Sequence, residues 1–282
     1  MAALKNNKAE RDEFLLRSFS SIFIVLIVLS AIYYGNFIWT VIASLIALIS
    51  LSEYYNMLNR YAKIKSMKIS PGVGYIISVI FIFAAAQENP QPIILAMILS
   101  LSVFGVFTLE IFKRQFSHGN SSSIFNAGGI LSGVLYITVP WACMIMLRNY
   151  IIGRDILMTL FFCTWACDVG AYIGGKIFGS VKLCEFVSPG KTVQGFIAGI
   201  IGSLLASAGA IYFFALPSSM IFIGFICGIS GQAGDLIESL IKRETGQKDS
   251  GNLIPGHGGM LDRFDSILFN GLLTYLVLRI LL

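Results

Sequence analysis

Charge is what this chain has least of. Asp, Glu, Lys and Arg make up 12% of its 282 residues, where an ordinary soluble domain carries about 25%. That shortage excludes a water-soluble globule, because so few charges lie between such long apolar runs. Cysteine chemistry is thin as well: Cys143, Cys163, Cys167 and Cys227 sit inside apolar runs and Cys184 in a basic loop, so neither paired Cys-x-x-Cys spacing nor a disulfide framework is visible. Cys163 and Cys167 share a helix face and read as small packing residues. Ile22 to Tyr34 lacks a small-residue cleavage site and is followed almost at once by another apolar run, so it reads as a membrane helix rather than a secretory signal. A soluble domain, a low-complexity linker and an internal repeat are also missing.

What the chain does have is apolar length, with 56% of its residues hydrophobic. A spanning helix needs about 20 mostly apolar residues, and that criterion picks out segments near 16–34, 36–54, 72–88, 91–112, 124–147, 156–178, 193–216, 218–238 and 265–282. Gly35-Asn36, Pro71-Gly72, Asn89-Pro90-Gln91-Pro92 and Pro217-Ser218-Ser219 punctuate them. The expected fold is an all-α polytopic membrane bundle of about nine transmembrane helices. Alternating the connections between sides leaves only Arg148, Arg154 and Arg279 opposite the other Lys and Arg residues, so the positive-inside rule puts the N-terminus and the basic loops in the cytoplasm. Residues 1–150 then form an N-terminal helical region, and 151–282 a C-terminal helical region with polar cytoplasmic loops. Arg60, Lys63, Lys65 and Lys68 read as cytoplasmic anchors.

Ionisable groups at or inside membrane helices are costly unless they face protein or water, so each is a functional candidate. They concentrate in the last third. Gly231-Gln232-Ala233-Gly234-Asp235 leads to Glu238, Ser239, Lys242 and Arg243, and helical spacing puts Asp235, Glu238 or Ser239, and Lys242 along one face. Lys248-Asp249-Ser250-Gly251 and Pro255-Gly256-His257-Gly258-Gly259 follow, then Leu261-Asp262-Arg263-Phe264-Asp265. Mg²⁺ takes one or two carboxylates and keeps waters and substrate phosphates as its other ligands. Asp235 and Asp262 could supply that pair. Lys242, Arg243, Lys248 and Arg263 offer charge for a polyphosphate, while glycines let backbone N–H groups approach phosphate oxygens. Together these residues suggest a nucleoside triphosphate and Mg²⁺ site on the cytoplasmic side, with His257 either a phosphate contact or a structural hydrogen-bonding group.

Two smaller clusters lie upstream. Ser188-Pro189-Gly190-Lys191-Thr192 resembles the end of a Walker A loop, but the earlier glycine would fall at Glu185 and no strand is expected before it, so a P-loop is rejected. A short polar turn opening a helix remains, with free N–H groups and Lys191 to attract anions. Asp168, in Trp165-Ala166-Cys167-Asp168-Val169-Gly170-Ala171-Tyr172, falls mid-span. An unpaired carboxylate there costs about 2.5 to 3.5 kcal/mol on insertion scales, so it should face a polar cavity.

The run from Ser239 to Asp265 closely resembles the signature of the phosphatidate cytidylyltransferase (CDP-diacylglycerol synthase) family, and Trp165 to Tyr172 and Ser188 to Thr192 resemble two further family blocks in the same order. The similarity runs from about Trp165 to the end; the first 150 residues resemble the family only as a hydrophobic helical region. The resemblance implies transfer of CMP from CTP to phosphatidic acid, giving CDP-diacylglycerol and pyrophosphate. It also implies Mg²⁺, with room for a second cation. Asp235, Asp262 and Asp265 become metal ligands on this reading, and Asp235, Asp262, Lys191, Lys248 and Arg263 catalytic groups. Ser188, Thr192, Lys242, Arg243, His257, Gly258, Asp168 and Asp249 become substrate contacts. No nucleic-acid partner is implied, a homodimer stays open, and the expected location is a bacterial plasma membrane. A polyprenol or phytol kinase is disfavoured by the Lys-Asp-Ser-Gly to Asp-Arg-Phe-Asp run, and a transporter by the gathering of polar groups on one side.

Overall fold

The computed structural model describes residues 20–64, 68–117, 122–254 and 258–281; Lys65 and His257 lie outside them. The chain forms helices α1 (Ser20–Tyr34), α2 (Asn36–Ile64), α3 (Gly72–Ala85), α4 (Pro92–Phe116), α5 (Ser123–Arg148), α6 (Gly153–Phe178), α7 (Val193–Phe214), α8 (Ser218–Glu244) and α9 (Leu261–Leu281). Every apolar segment picked out from the sequence is therefore helical within the described residues. Seven of these helices are long and apolar enough to cross a membrane. With 14 residues, α3 is about 21 Å long, short of the ~30 Å hydrocarbon core.

The distribution of side chains suits lipid as solvent. Phe104, Phe107 and Ile111 on α4 and Leu205, Tyr212 and Phe213 on α7 face outward, whereas Ser203, Ser207, Asn270 and Thr274 are buried. Burial in a lipid-solvated bundle depends on close packing and interhelical hydrogen bonds rather than on hydrophobicity. The tightest packing is between α6 and α7. Gly170 faces Gly199 and Gly175 faces Gly195, and a Cβ at Gly170 would lie 2.8 Å from the Ala198 carbonyl, one at Gly202 2.7 Å from that of Ala166. Gly202→Leu is thus expected to force these helices apart at about 1 to 3 kcal/mol, seen as a lower unfolding midpoint in detergent; an unchanged midpoint would contradict this packing.

An aromatic group joins α2, α5, α6 and α9. The Trp39 ring packs 6.3 Å from Trp141 and 6.2 Å from Phe161, and Trp141 lies 5.3 Å from Phe264. Trp39 also donates its indole N–H to the Met144 carbonyl at 3.1 Å. Two helices carry π-turns, Val134–Thr138 in α5 and Cys227–Gly231 in α8. The first precedes Pro140, which lacks an N–H for the helical ladder.

A structural feature not expected from sequence follows α6. Lys182–Cys184 (β1) pairs antiparallel with Ser188–Thr192 (β2), and Val193 opens α7. The segment read as a polar turn is therefore itself a strand with another before it, which corrects one ground for rejecting a P-loop. The rejection stands on the remaining ground, since Glu185 occupies the position of the earlier glycine. Cys163, Cys167 and Cys227 are buried free thiols, consistent with packing roles.

Candidate active site

Helices α6, α8 and α9 supply the polar side chains, and three buried groups hold them together. Ser230 of α8 donates to Asn270 Oδ1 of α9 at 2.6 Å, and Asn270 Nδ2 donates to Thr164 Oγ1 of α6 at 2.8 Å. The α8 π-turn frees a carbonyl at Gly228, which accepts from Gln232 Nε2 at 2.7 Å. Such π-turns shift the helical register locally, and here the shift immediately precedes Asp235.

Two cavities flank these helices. One, of about 470 Å³, is lined by Asp168, Asp235, Glu238, Lys242, Asp262, Arg263 and Asp265, and on its other side by apolar residues of α1 and α6 that include Ile24, Val25, Val28, Phe161 and Trp165. The other, of about 450 Å³, is lined by Lys176, Lys191, Thr192 and Gln232, by Tyr172 and Phe196, and by small residues that include Gly175 and Gly195. Asp168 and Asp235 border both. Along α6 the division is regular: residues 161 to 168 face the first cavity and residues 168 to 176 the second.

Lys191 reaches from β2 to form an ion pair with Asp235 at 2.8 Å, placing one cation on the shared wall. Thr192 caps α7 by accepting the Gly195 N–H at 3.1 Å. In the first cavity Lys242 Nζ lies 2.5 Å from Glu238 Oε2 and 2.7 Å from Asp262 Oδ1. Asp262 Oδ2 accepts from Ser250 N–H at 2.9 Å, Ser250 O–H at 2.8 Å and Gly259 N–H at 2.7 Å. Asp265 is buried, and its Oδ1 accepts the Ser266 N–H at 2.7 Å. Glu238 is 1% exposed, and its Oε1 has no hydrogen-bond partner among the described residues.

This arrangement gathers some of the expected residues and leaves others apart. Asp168, Asp235, Lys242, Asp262, Arg263 and Asp265 meet around one cavity, while Lys191 and Thr192 join at the second. Ser188, Arg243, Lys248 and Asp249 line neither; Lys248 and Asp249 are exposed, and Arg243 Nε donates to the Val187 carbonyl at 3.3 Å, tying the hairpin to α8. Gly258 has φ +84° and bridges Ile254 through a 2.9 Å backbone bond. Among the described residues, no group of three His, Cys, Asp or Glu side chains is close enough to form a metal cluster. His257 lies outside the described residues.

Sequence reasoning missed Glu53. This residue, 7% exposed on α2, accepts Met260 N–H at 2.8 Å and Leu261 N–H at 2.8 Å, and the Ser250 O–H at 3.2 Å. Its signal was an acid between apolar runs, the same one that singled out Asp168. Arg60, read as an anchor, also reaches the loop and donates to Gln247 Oε1 at 2.9 Å.

Comparison with known proteins gives the chain's family. The model of the cytidylyltransferase family matches residues 15–281. A phosphatidate cytidylyltransferase of Staphylococcus aureus (strain COL) is 32% identical over 259 residues, covering 90% of this chain and 95% of the relative. Relatives of the same name from Staphylococcus haemolyticus and Staphylococcus epidermidis are 33% and 34% identical, with the same coverage. With a family match that spans nearly all of its length, the chain belongs to the cytidylyltransferase family.

Proposed function

We propose that this protein transfers CMP from CTP to phosphatidic acid, forming CDP-diacylglycerol and pyrophosphate at the cytoplasmic face of a bacterial plasma membrane. The observation that carries this reading is the pair of cavities meeting at Asp168 and Asp235. The first has an apolar wall from α1 and α6 opposite its charged end, as an acyl-bearing substrate requires. Nine spans with a cytoplasmic N-terminus would put the hairpin and the 245–260 loop on the side where CTP is available.

In the proposed reaction a phosphate oxygen of phosphatidate attacks the α-phosphorus of CTP, the bond to the β-phosphate oxygen breaks, and pyrophosphate leaves. The nucleophile is already anionic, so the site need not supply a strong base. Its work is to position the two phosphates and neutralise their repulsion. Lys191 and Lys242 are placed for that, each able to turn from a carboxylate to an incoming phosphate, with Arg263 beside Asp262 on the same cavity. Thr192 and Gly258 contribute at the edges; Arg243, Lys248, Asp249 and Ser188 would act through the loops that carry them.

A divalent cation suits the donors. Five carboxylates line the first cavity against two basic groups, and the orphaned Glu238 Oε1 is a free oxygen of the hard type that Mg²⁺ prefers. Because no three of these carboxylates cluster among the described residues, the ion would take one or two of them, from Asp235, Glu238, Asp265 and Asp262, with Asp262 Oδ1 already held by Lys242. When bound, Mg²⁺ would supply neutralising charge to the substrate phosphates.

The test is an acceptor panel with purified protein, CTP and Mg²⁺. Phosphatidate should yield CDP-diacylglycerol and pyrophosphate, whereas release of CDP with phosphorylation of a polyprenol or phytol would replace this reading with a kinase. Within the panel, Val25→Trp should fill the apolar wall and raise KM for phosphatidate about fivefold or more, leaving KM for CTP within about twofold. Equal changes in both would move the lipid out of that cavity.

A further inference from the structure

Glu53 is an expensive residue to bury in a membrane protein, and no basic side chain among the described residues pairs with it. Its carboxylate is instead held by donors from another part of the chain. Met260 and Leu261 present the free N–H groups at the start of α9, where the helix dipole also favours an anion. The third donor, the Ser250 hydroxyl, lies 3.2 Å from Glu53 Oε2 and 2.8 Å from Asp262 Oδ2. One serine therefore stands between a carboxylate of α2 and a carboxylate of the cavity.

The glycines of the loop fit the same purpose. A Cβ at Gly251 would lie 2.6 Å from Glu53 Oε1, and one at Gly259 2.6 Å from Oε2. At these two positions the missing side chain lets the backbone close around a protein carboxylate. Gly259 in turn donates to Asp262 at 2.7 Å. From Glu53 the chain of contacts runs through Ser250 and Gly259 to Asp262, then to Lys242 at 2.7 Å. Glu53 lines neither cavity, so any effect on the reaction passes through these neighbours.

We propose that Glu53 is a positioning residue for cytidylyl transfer: it clamps Ser250 and the glycine after it to the start of α9 and so fixes Asp262 and Lys242 where the phosphates meet. Through it, a helix from the apolar N-terminal half takes part in the chemistry of the C-terminal half. The inference rests on the function proposed above.

The test compares wild type with Glu53→Gln and Ser250→Ala. Glutamine keeps one acceptor but turns an NH₂ toward the remaining donors, leaving a buried α9 N–H unpaired. Ser250→Ala removes the hydroxyl shared by Glu53 and Asp262 but leaves the Ser250 N–H bond to Asp262 and both bonds that α9 donates to Glu53. Per folded molecule, kcat should fall about 30-fold or more in Glu53→Gln and about tenfold in Ser250→Ala, with KM for CTP and for phosphatidate changed less than about threefold. Amide exchange at Gly259 to Leu261 should rise about tenfold in Glu53→Gln. A kcat per folded molecule within about threefold of wild type in both variants, or unchanged exchange at those amides, overturns the proposal. If wild-type protein makes no CDP-diacylglycerol, the functional reading fails, and the exchange measurement still decides whether Glu53 holds the loop. Should Glu53→Gln fail to fold, kcat in Ser250→Ala decides alone.

Discussion

Asp235→Asn is expected to reduce cytidylyl transfer by about 1,000-fold or more while the protein stays inserted and folded. Asp235 is the only acid apart from Asp168 on both cavity walls within the described residues, and it holds Lys191 at 2.8 Å. Asparagine keeps the size and loses the charge. Lys191 is then released from its carboxylate, and the site loses an anionic oxygen suited to a hard cation. Stability should change little, because Asp235 is partly exposed, with its side chain 39% accessible, and exposed ion pairs contribute about 0 to 1 kcal/mol. The measurement is kcat/KM for CTP beside the unfolding midpoint. Activity near wild type would remove Asp235 from the reaction, and a collapse of folding would make its role structural.

Lys242→Met should behave in the opposite way, damaging the fold as well as the activity. Lys242 lies between Glu238 and Asp262, whose side chains are 1% and 6% exposed. Removing it leaves two buried carboxylates facing each other without a cation, a change that typically costs about 3 to 5 kcal/mol. A large drop in unfolding midpoint is expected, together with loss of turnover. Adding Glu238→Gln to this variant removes one of the stranded charges, so the double variant should regain part of the stability and none of the activity. If Lys242→Met unfolds at the wild-type temperature, the two acids are not relying on it and the described network is wrong.

These two residues show what could be read from sequence and what could not. The helices were legible because a bilayer demands about 20 apolar residues per span, and each predicted segment is a helix within the described residues. Asp168, Asp235 and Asp262 stood out because ionisable groups in such runs need a polar setting, and all three border one cavity. The pair of Lys242 with Glu238 lies on the face that helical spacing marked, but the carboxylate partners distant in sequence were not legible. Lys191 and Lys242 form ion pairs across 44 and 20 residues of sequence, distances at which neither spacing nor helical periodicity carries information. The β1–β2 hairpin was hidden because Lys-Leu-Cys and Ser-Pro-Gly-Lys-Thr show no alternation of apolar and polar residues. Glu53 lay outside the recognised family motifs, although the family match itself extends from residue 15, beyond the similarity expected only from about Trp165, and its partners are about 200 residues downstream.

The glycines of the 246–259 loop make the same point on a smaller scale. Their abundance suggested a backbone wrapped around phosphates, yet Gly251 and Gly259 close instead on the carboxylate of Glu53. Gly246, with φ +68°, ends the α8 segment, as a left-handed residue commonly does. Part of what looked like ligand binding is thus the support that holds Asp262 in place.

In the proposed reaction a soluble nucleotide and a membrane lipid meet at the wall formed by Asp168 and Asp235, where CMP passes from one to the other. Its most direct test follows radiolabel from CTP into lipid, using purified wild-type protein with phosphatidate and Mg²⁺. Label at the α-phosphorus should appear in the lipid product, and label at the γ-phosphorus only in released pyrophosphate. Transfer of the γ-label to lipid, or pyrophosphate release with no labelled lipid, would contradict the account.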